Sequence, residues 1–270
     1  MTTKTSYAQG TPCWVDLQTS DQDAARAFYA GVLGWEFVEQ PMPDGPVYAM
    51  AQLGGRNAAA IAPQNPDQAA AGVPAMWNTY LAVDDVDATT ARVADAGGTV
   101  AMEPFDVMDA GRMSFVADPS GAFVGLWQAR EHIGAQVANE PGALTWNELV
   151  TTDPESALPF YEKLLGVQAV TVPMGPDYAY TMFQVGDQQV GGSTAPQMPG
   201  VPNHWAVWFS VDSADASAAR ITELGGSLLV EPTDMPVGRM VVARDPQGAV
   251  FNLLQPADQT AEAAAEQPTA

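Results

Sequence analysis

The chain of 270 residues has one cysteine, two histidines and two lysines. A single thiol, Cys13, permits no intrachain disulfide and no cysteine-rich zinc site. Only His132 and His204 are available to activate it as a nucleophile. Free cysteine usually packs as a small hydrophobe, so a buried structural thiol is expected. Ten basic residues against 32 acidic ones leave a net charge of −22. Binding a phosphate backbone needs clustered cations, which argues against nucleic acid as a partner, and the acidity reads as solubility through self-repulsion. No apolar run approaches the roughly 20 residues that cross a bilayer, and the opening MTTKTSYAQG lacks the apolar core of a signal peptide. No membrane contact and a cytoplasmic location are therefore expected. The sequence contains no glycine-rich phosphate loop, dinucleotide fingerprint or Ser-His-Asp set, and no cofactor is expected.

What the chain does contain is a long-period repeat. The segment TPCWVDLQTSDQDAARAFYAGVLGW returns as ALTWNELVTTDPESALPFYEKLLGV, and WNTYLAVDDVDATTARVADAGGTV returns as WAVWFSVDSADASAARITELGGSLLV. GRMSFVADPSGAFVGLWQ likewise returns as GRMVVARDPQGAVFNLLQ, each time at a spacing of about 130 residues, so two whole halves are duplicated. The expected organisation is a first domain over 1–130, a linker over 131–142, a second domain over 143–256 and a flexible, alanine-rich tail over 257–270.

Each half reads as a strand, a helix and three strands, twice over. Thr11–Leu17 is a strand candidate. Asp21 then offers an N-cap to a helix whose Ala24, Ala27, Phe28, Val32 and Leu33 recur at helical spacing. In the second half Asp153 caps, Pro154 takes the first helical position, and Phe160, Tyr161, Leu164 and Leu165 form the buried stripe. Gly34 and Gly166 mark the helix ends. Strands Trp77–Val83 and Trp205–Val211 open the second units, followed by helices capped near Asp84 and Asp212 and ended by Gly97-Gly98 and Gly225-Gly226. Asp118-Pro119-Ser120-Gly121 and Asp245-Pro246-Gln247-Gly248 read as tight turns before the last strands. Gly54-Gly55 and Gly191-Gly192 read as turn or bulge residues. The fold class is α+β with four βαβββ units.

The Phe-Tyr-x-x-x-Leu-Gly helix end, the Gly-Gly after the second helix and the Asp-Pro-x-Gly turn, in this order and twice over, resemble the vicinal oxygen chelate (glyoxalase/bleomycin-resistance/dioxygenase) superfamily. The resemblance covers nearly all of residues 11–255 and extends to actinobacterial two-domain members labelled glyoxalase-like or hydroxylase. It implies two tandem cup-shaped domains. In metal-dependent members four His, Glu or Gln side chains hold a divalent ion in the cup, because such a cation needs O or N donors converging at about 2 Å. The resemblance places those positions at Trp14, Asn78, Gly125 and the Ala58–Ala62 stretch, then at Trp146, Ala206, Asn252 and the Gly191–Thr194 stretch. Neither set can hold a metal in that manner, and no metal is expected. His204 adds at most one ligand and reads as a rim histidine.

Strand alternation sends residues two apart to one face. Trp14 therefore shares the cup with Asp16, and Trp146 with Glu148. Asn78 and Tyr80 share a face, as do Ala206 and Trp208; Trp127 and Asn252 come from the last strands. Aromatics with a few polar groups suit a flat organic ligand. Asp16 and Glu148 are the candidate catalytic groups, since a carboxylate among tryptophans acquires the raised pKa of a general acid or base; the other reading ties each to backbone N–H groups or an arginine. Arg112 and Arg239, in matching Gly-Arg-Met triplets, either fork a ligand carboxylate or phenolate or tie Asp106 and Asp234. The expected function is metal-independent binding of a small aromatic or reactive metabolite. The alternatives are a lyase, isomerase or hydroxylase component using a cup carboxylate, and a structural protein with self-filled cups. The duplication makes a monomer as acceptable as a homodimer.

Overall fold

A computed structural model describes residues 3–41, 47–175 and 179–257. The expected tail therefore lies, apart from Ala257, outside the described residues. The first half runs β1 (Pro12–Thr19), α1 (Gln22–Leu33), β2 (Glu36–Gln40), β3 (Tyr48–Leu53), β4 (Arg56–Pro63), α2 (Pro66–Ala70), β5 (Met76–Ala82), α3 (Val86–Thr90), β6 (Thr99–Val107), β7 (Gly111–Ala117) and β8 (Phe123–Ala129). The second runs β9 (Leu144–Val150), α4 (Pro154–Leu165), β10 (Gln168–Pro173), β11 (Ala179–Val185), β12 (Gln188–Thr194), β13 (His204–Ser210), α5 (Ala214–Glu223), β14 (Ser227–Met235), β15 (Gly238–Arg244) and β16 (Val250–Pro256). Four βαβββ units are present. The short α2, in the connection between the first two, was not foreseen.

The long helices start and stop for the reasons read in the sequence. Asp21 accepts from the Ala24 N–H and Asp153 from the Ser156 N–H. Gly34 and Gly166 end their helices in the left-handed conformation at φ 73° and 76°, where a side chain would be strained. The first buried stripe is Ala25, Phe28, Tyr29 and Leu33, so it is rotated from the expected one and Ala27 faces solvent. The caps of the shorter helices fall one residue later than expected, on Asp85 and Ser213. Gly191-Gly192 is not a turn: both lie inside β12, Gly191 bordering a bulge opposite Phe183.

Units one and two form one eight-stranded sheet, ordered β2-β3-β4-β1-β5-β8-β7-β6, and units three and four repeat it as β10-β11-β12-β9-β13-β16-β15-β14. Antiparallel pairing of β1 with β5, and of β9 with β13, joins the units within each sheet. Each sheet has one face toward helices and one lining a cup, so units one and two share a cup.

The cores follow a different grouping. Phe28, Tyr29 and Trp77 pack with Phe209, Ile221 and Phe251, so the helix face of unit one is buried against unit four. Leu81, Val124 and Leu126 pack with Phe160, Tyr161 and Trp205, so unit two is buried against unit three. Each joint contains a buried polar chain. The Trp77 indole donates to the Tyr29 hydroxyl at 3.0 Å, which donates to Asp245 at 3.1 Å. Trp205 donates to Tyr161 at 2.9 Å, which donates to Asp118 at 2.9 Å. The Asp-Pro-x-Gly aspartates thus serve twice. One oxygen accepts backbone N–H groups of the turn and the other reaches across to the helix of the opposite half.

Removing either hydroxyl leaves one carboxylate oxygen and an indole N–H without their partner in the buried joint. Tyr29→Phe and Tyr161→Phe are each expected to lower stability by about 1–3 kcal/mol, read as a fall in the urea midpoint at unchanged m value. An unmoved midpoint would show that these chains do not hold the halves together.

Candidate functional site

Alternation on β1 and β5 sends Trp14, Asp16, Asn78 and Tyr80 into the first cup, as expected. Asp16 is 4% exposed and no arginine reaches it. It accepts from Asn78 Nδ2 at 2.9 Å, the Tyr80 hydroxyl at 2.8 Å and the Tyr48 hydroxyl at 3.0 Å, while Tyr48 accepts from Trp14 Nε1 at 2.9 Å. Burial pushes the Asp16 carboxyl up, and the three hydrogen bonds oppose that rise. Burial, then the Asp16 charge, holds both tyrosine hydroxyls well above their usual range. Trp14, Tyr80 and Trp127 pack on one another with Met50, Ala60 and Ala135. The segment after β8 closes this cup: the His132 ring centroid lies 4.5 Å from that of Trp14 and 5.7 Å from that of Trp127, and the His132 carbonyl accepts from Trp127 Nε1. Burial pushes the His132 imidazole down to about 4, so it packs as a neutral ring. Cys13 is fully buried and burial pushes its thiol up, which fits the structural role.

The second cup repeats the frame with different filling. Trp146 Nε1 donates to the Tyr180 hydroxyl at 2.8 Å, and Tyr180 hydrogen-bonds Glu148. Burial pushes the Glu148 carboxyl up, opposed by Tyr180 and by the nearby Trp208 indole, whose Nε1 has no partner in hydrogen-bonding geometry. Ala206 stands where Asn78 does, Trp208 where Tyr80 does, and Leu254 where Trp127 does. Here Trp146, Met182, Trp208 and Leu254 are half-buried where Trp14, Met50, Tyr80 and Trp127 in the first cup are buried, while Tyr48 and Met113 are half-buried like their counterparts Tyr180 and Met240. Asn252 turns its amide to the Val207 carbonyl, 3.0 Å away, and is spent on the strand. His204 holds the Pro202 carbonyl through Nδ1 at 2.8 Å.

Arg112 and Arg239 do not enter the cups. Their strand neighbours Ser114 and Val116, or Val241 and Ala243, are buried on the helix face, and alternation places the arginines there too. Arg112 forks Asp87 at 2.8 and 2.9 Å and also meets Asp106; Arg239 forks Asp215 at 2.9 and 3.0 Å and meets Asp234. Each fork is taken by the chain's own carboxylates, which corrects the ligand-binding expectation.

Sequence reasoning missed Tyr48 and Tyr180, the hydroxyls that join tryptophan to acid in each cup. A signal was present: Tyr-x-Met-x-Gln occurs at 48–52 and again at 180–184.

This geometry defines a tandem pair of βαβββ cups. The chain belongs to the Glyoxalase/Bleomycin resistance protein/Dioxygenase superfamily, whose family model matches residues 12–126 and 134–253. It is similar to the "Putative glyoxylase CFP32" of Mycobacterium tuberculosis, 52% identical over 261 residues covering 96% of this chain and 100% of that protein. It is also similar to the "Anthracycline biosynthesis protein DnrV" of Streptomyces peucetius, 37% identical over 262 residues covering 93% of this chain and 95% of that protein. Among solved structures, the Mn(II)-bound glyoxalase from Novosphingobium aromaticivorans superposes with a TM-score of 0.64 at 18% identity, covering 92% of this chain and 82% of that one. The 2,3-dioxygenase LapB from Pseudomonas sp. KL28 gives 0.63 at 16% identity, covering 92% and 93%. At these identities the solved structures speak for the fold alone.

The residues present do not fit the superfamily's divalent ion. The Trp14 and Asn78 donors are engaged with Tyr48 and Asp16, Ala60 faces Asp16 across β4 without a donor, and a Cβ on Gly125 would collide with the Tyr80 ring. In the second cup a Cβ on Gly192 would meet the Tyr180 hydroxyl. Among the described residues no three His, Cys, Asp or Glu side chains converge to hold a metal, and no helix is long and apolar enough to cross a membrane.

The raised Asp16 pKa carries a sign. Its contribution to stability is fully present below the usual carboxyl value of 3.8 and is lost as pH rises through the folded value. Asp16→Asn is therefore expected to make the fall of thermal midpoint between about pH 4 and about pH 8 shallower, with Glu148 and Asp245 supplying the residual slope. An unchanged slope in melts across that range would mean Asp16 does not titrate with folding.

Proposed function

We propose that this protein binds a small aromatic or reactive metabolite without a metal, and that the second cup is the binding site. The observation that carries this reading is the difference between the duplicated cups. The first buries Trp14, Met50, Tyr80 and Trp127 and has His132 against Trp14, while the second leaves their counterparts Trp146, Met182, Trp208 and Leu254 half-buried around Glu148. Half-buried aromatic faces around one polar group suit a planar organic molecule, because ring stacking supplies affinity and the polar group supplies orientation. The similarity to DnrV points the same way, since anthracyclines are planar fused-ring aromatics. Met182 and Met240 add adaptable thioethers able to mould to a ring edge.

The test is a fluorescence titration of EDTA-treated protein with a panel of hydroxylated naphthoquinones and anthraquinones. Binding is expected to survive chelation. Trp208→Ala is expected to weaken it about tenfold, the equivalent of about 1.4 kcal/mol of ring contact, while Trp14→Phe in the closed cup leaves it unchanged. Binding that requires a stoichiometric metal, found by elemental analysis, would overturn the metal-independent part. Equal binding by Trp208→Ala would overturn the choice of cup.

A second reading is an enzyme of the same fold with Glu148 as acid or base, favoured by the raised Glu148 pKa in an apolar setting. On that reading Glu148→Gln abolishes turnover of a bound ligand and leaves its binding intact. Loss of both together would make Glu148 a binding group only.

A further inference from the structure

Among the described residues, Arg244 alone of the arginines has no hydrogen bond or ion pair. Arg26, Arg56, Arg112, Arg130, Arg220 and Arg239 each sit against a carboxylate, and Arg92 holds backbone carbonyls. In a chain of net charge −22 an unpaired guanidinium is unusual, since acids are abundant enough to find it.

Its place in the sheet is informative. On β15, Val241 and Ala243 are buried on the helix face, so Arg244 projects from the cup face, exposed at the strand end. Arg244 pairs with Val250, Glu148 pairs with Ala206, and β13 runs parallel to β16 with Trp208 opposite Asn252. Continuing that register, Glu148, Ala206, Val250 and Arg244 form one row across the second cup. Three inter-strand steps of about 4.8 Å separate its ends by about 14 Å. Two small or mid-sized side chains lie between them, and Trp208 stands in the adjoining row. The matching row of the first cup reads Asp16, Asn78, Phe123 and Ala117, with no cation. Arg244 is therefore no relic of the duplication.

Resting on the reading of the second cup as the binding site, we infer that its ligand is an aromatic acid, with an anionic oxygen held by Arg244 and its ring lying along the row beside Trp208. A guanidinium offers a planar fork to a carboxylate, and its partly hydrated position at the strand end spares the anion full desolvation. Glu148 at the other end is buried and burial raises its pKa, which disfavours the ionised form that would repel a second anion. The ring spans a distance a two- or three-ring system can bridge together with the two side chains.

The test is equilibrium dialysis of the full chain with 2-naphthoate and its neutral isostere 2-naphthamide, in the wild type and in Arg244→Gln. Arg244 is exposed, and the substitution is checked for folding by circular dichroism. The wild type is expected to prefer the naphthoate about tenfold, and Arg244→Gln is expected to erase that preference with the naphthamide unaffected. Equal binding of both ligands by the wild type, or a preference that survives the substitution, would overturn the role of Arg244 and leave the second cup as a neutral aromatic site. Failure of both ligands to bind the wild type would overturn the cup reading and this inference with it.

Discussion

The architecture depends on a polar interaction buried where two apolar layers meet. A tryptophan on the first strand of one unit donates to a tyrosine on a helix, and that tyrosine donates to an aspartate in a turn of the opposite half. The chain runs through Trp77, Tyr29 and Asp245 on one side and Trp205, Tyr161 and Asp118 on the other. Apolar contacts alone would let the halves slide, because the hydrophobic effect has no direction. A buried carboxylate already fixed by its own turn, with one donor reaching it from the opposite half, tolerates little displacement, so these chains set how the two sheets sit back to back. Because the aspartates also organise their own turns, the last hairpin of each sheet is aligned with the helix it meets.

Once the helix faces are locked, the opposite faces of the sheets are left as cups, and the duplication gives two versions of one surface. Both retain a tryptophan, tyrosine and acid joined by hydrogen bonds. In the first, Asn78 and Tyr80 bring further donors to the acid, and Trp127 and His132 fill the remaining space. The Tyr80 ring occupies the room over Gly125, the position at which the family resemblance implies a metal ligand. In the second, Ala206 and Leu254 are smaller than their counterparts, and the aromatic walls stay partly open. The two copies of one fold thus differ in how far the walls of their cups are buried.

Electrostatics follows the same division. Six of the eight arginines are paired with acids of the chain itself. An exposed ion pair contributes little to stability, so their main effect is positional: Arg112 and Arg239 tie the edge hairpins to α3 and α5. The interiors of the cups are left to carboxyls whose pKa burial raises and to tyrosines held well above their usual range, which remain protonated donors.

Much of this was legible in the amino-acid sequence, where the signals are local or repeated. Helix caps at Asp21 and Asp153, stops at Gly34 and Gly166, the Asp-Pro-x-Gly turns and the duplication itself depend on neighbouring residues or on self-comparison, and they appear where expected. Strand alternation also placed Trp14 with Asp16 and Trp146 with Glu148. The same rule applied to Arg239 would have turned it away from the cup, had the buried face of β15 been known. That face is decided by packing against α5, a contact between residues distant in sequence. Tyr48 and Tyr180 reach the acids from strands whose register no local pattern reveals. The grouping of units, one with two in a sheet but one with four in a core, was beyond the sequence for the same reason. Composition and periodicity determine which surfaces must be buried, and only the tertiary structure decides which buried surfaces meet.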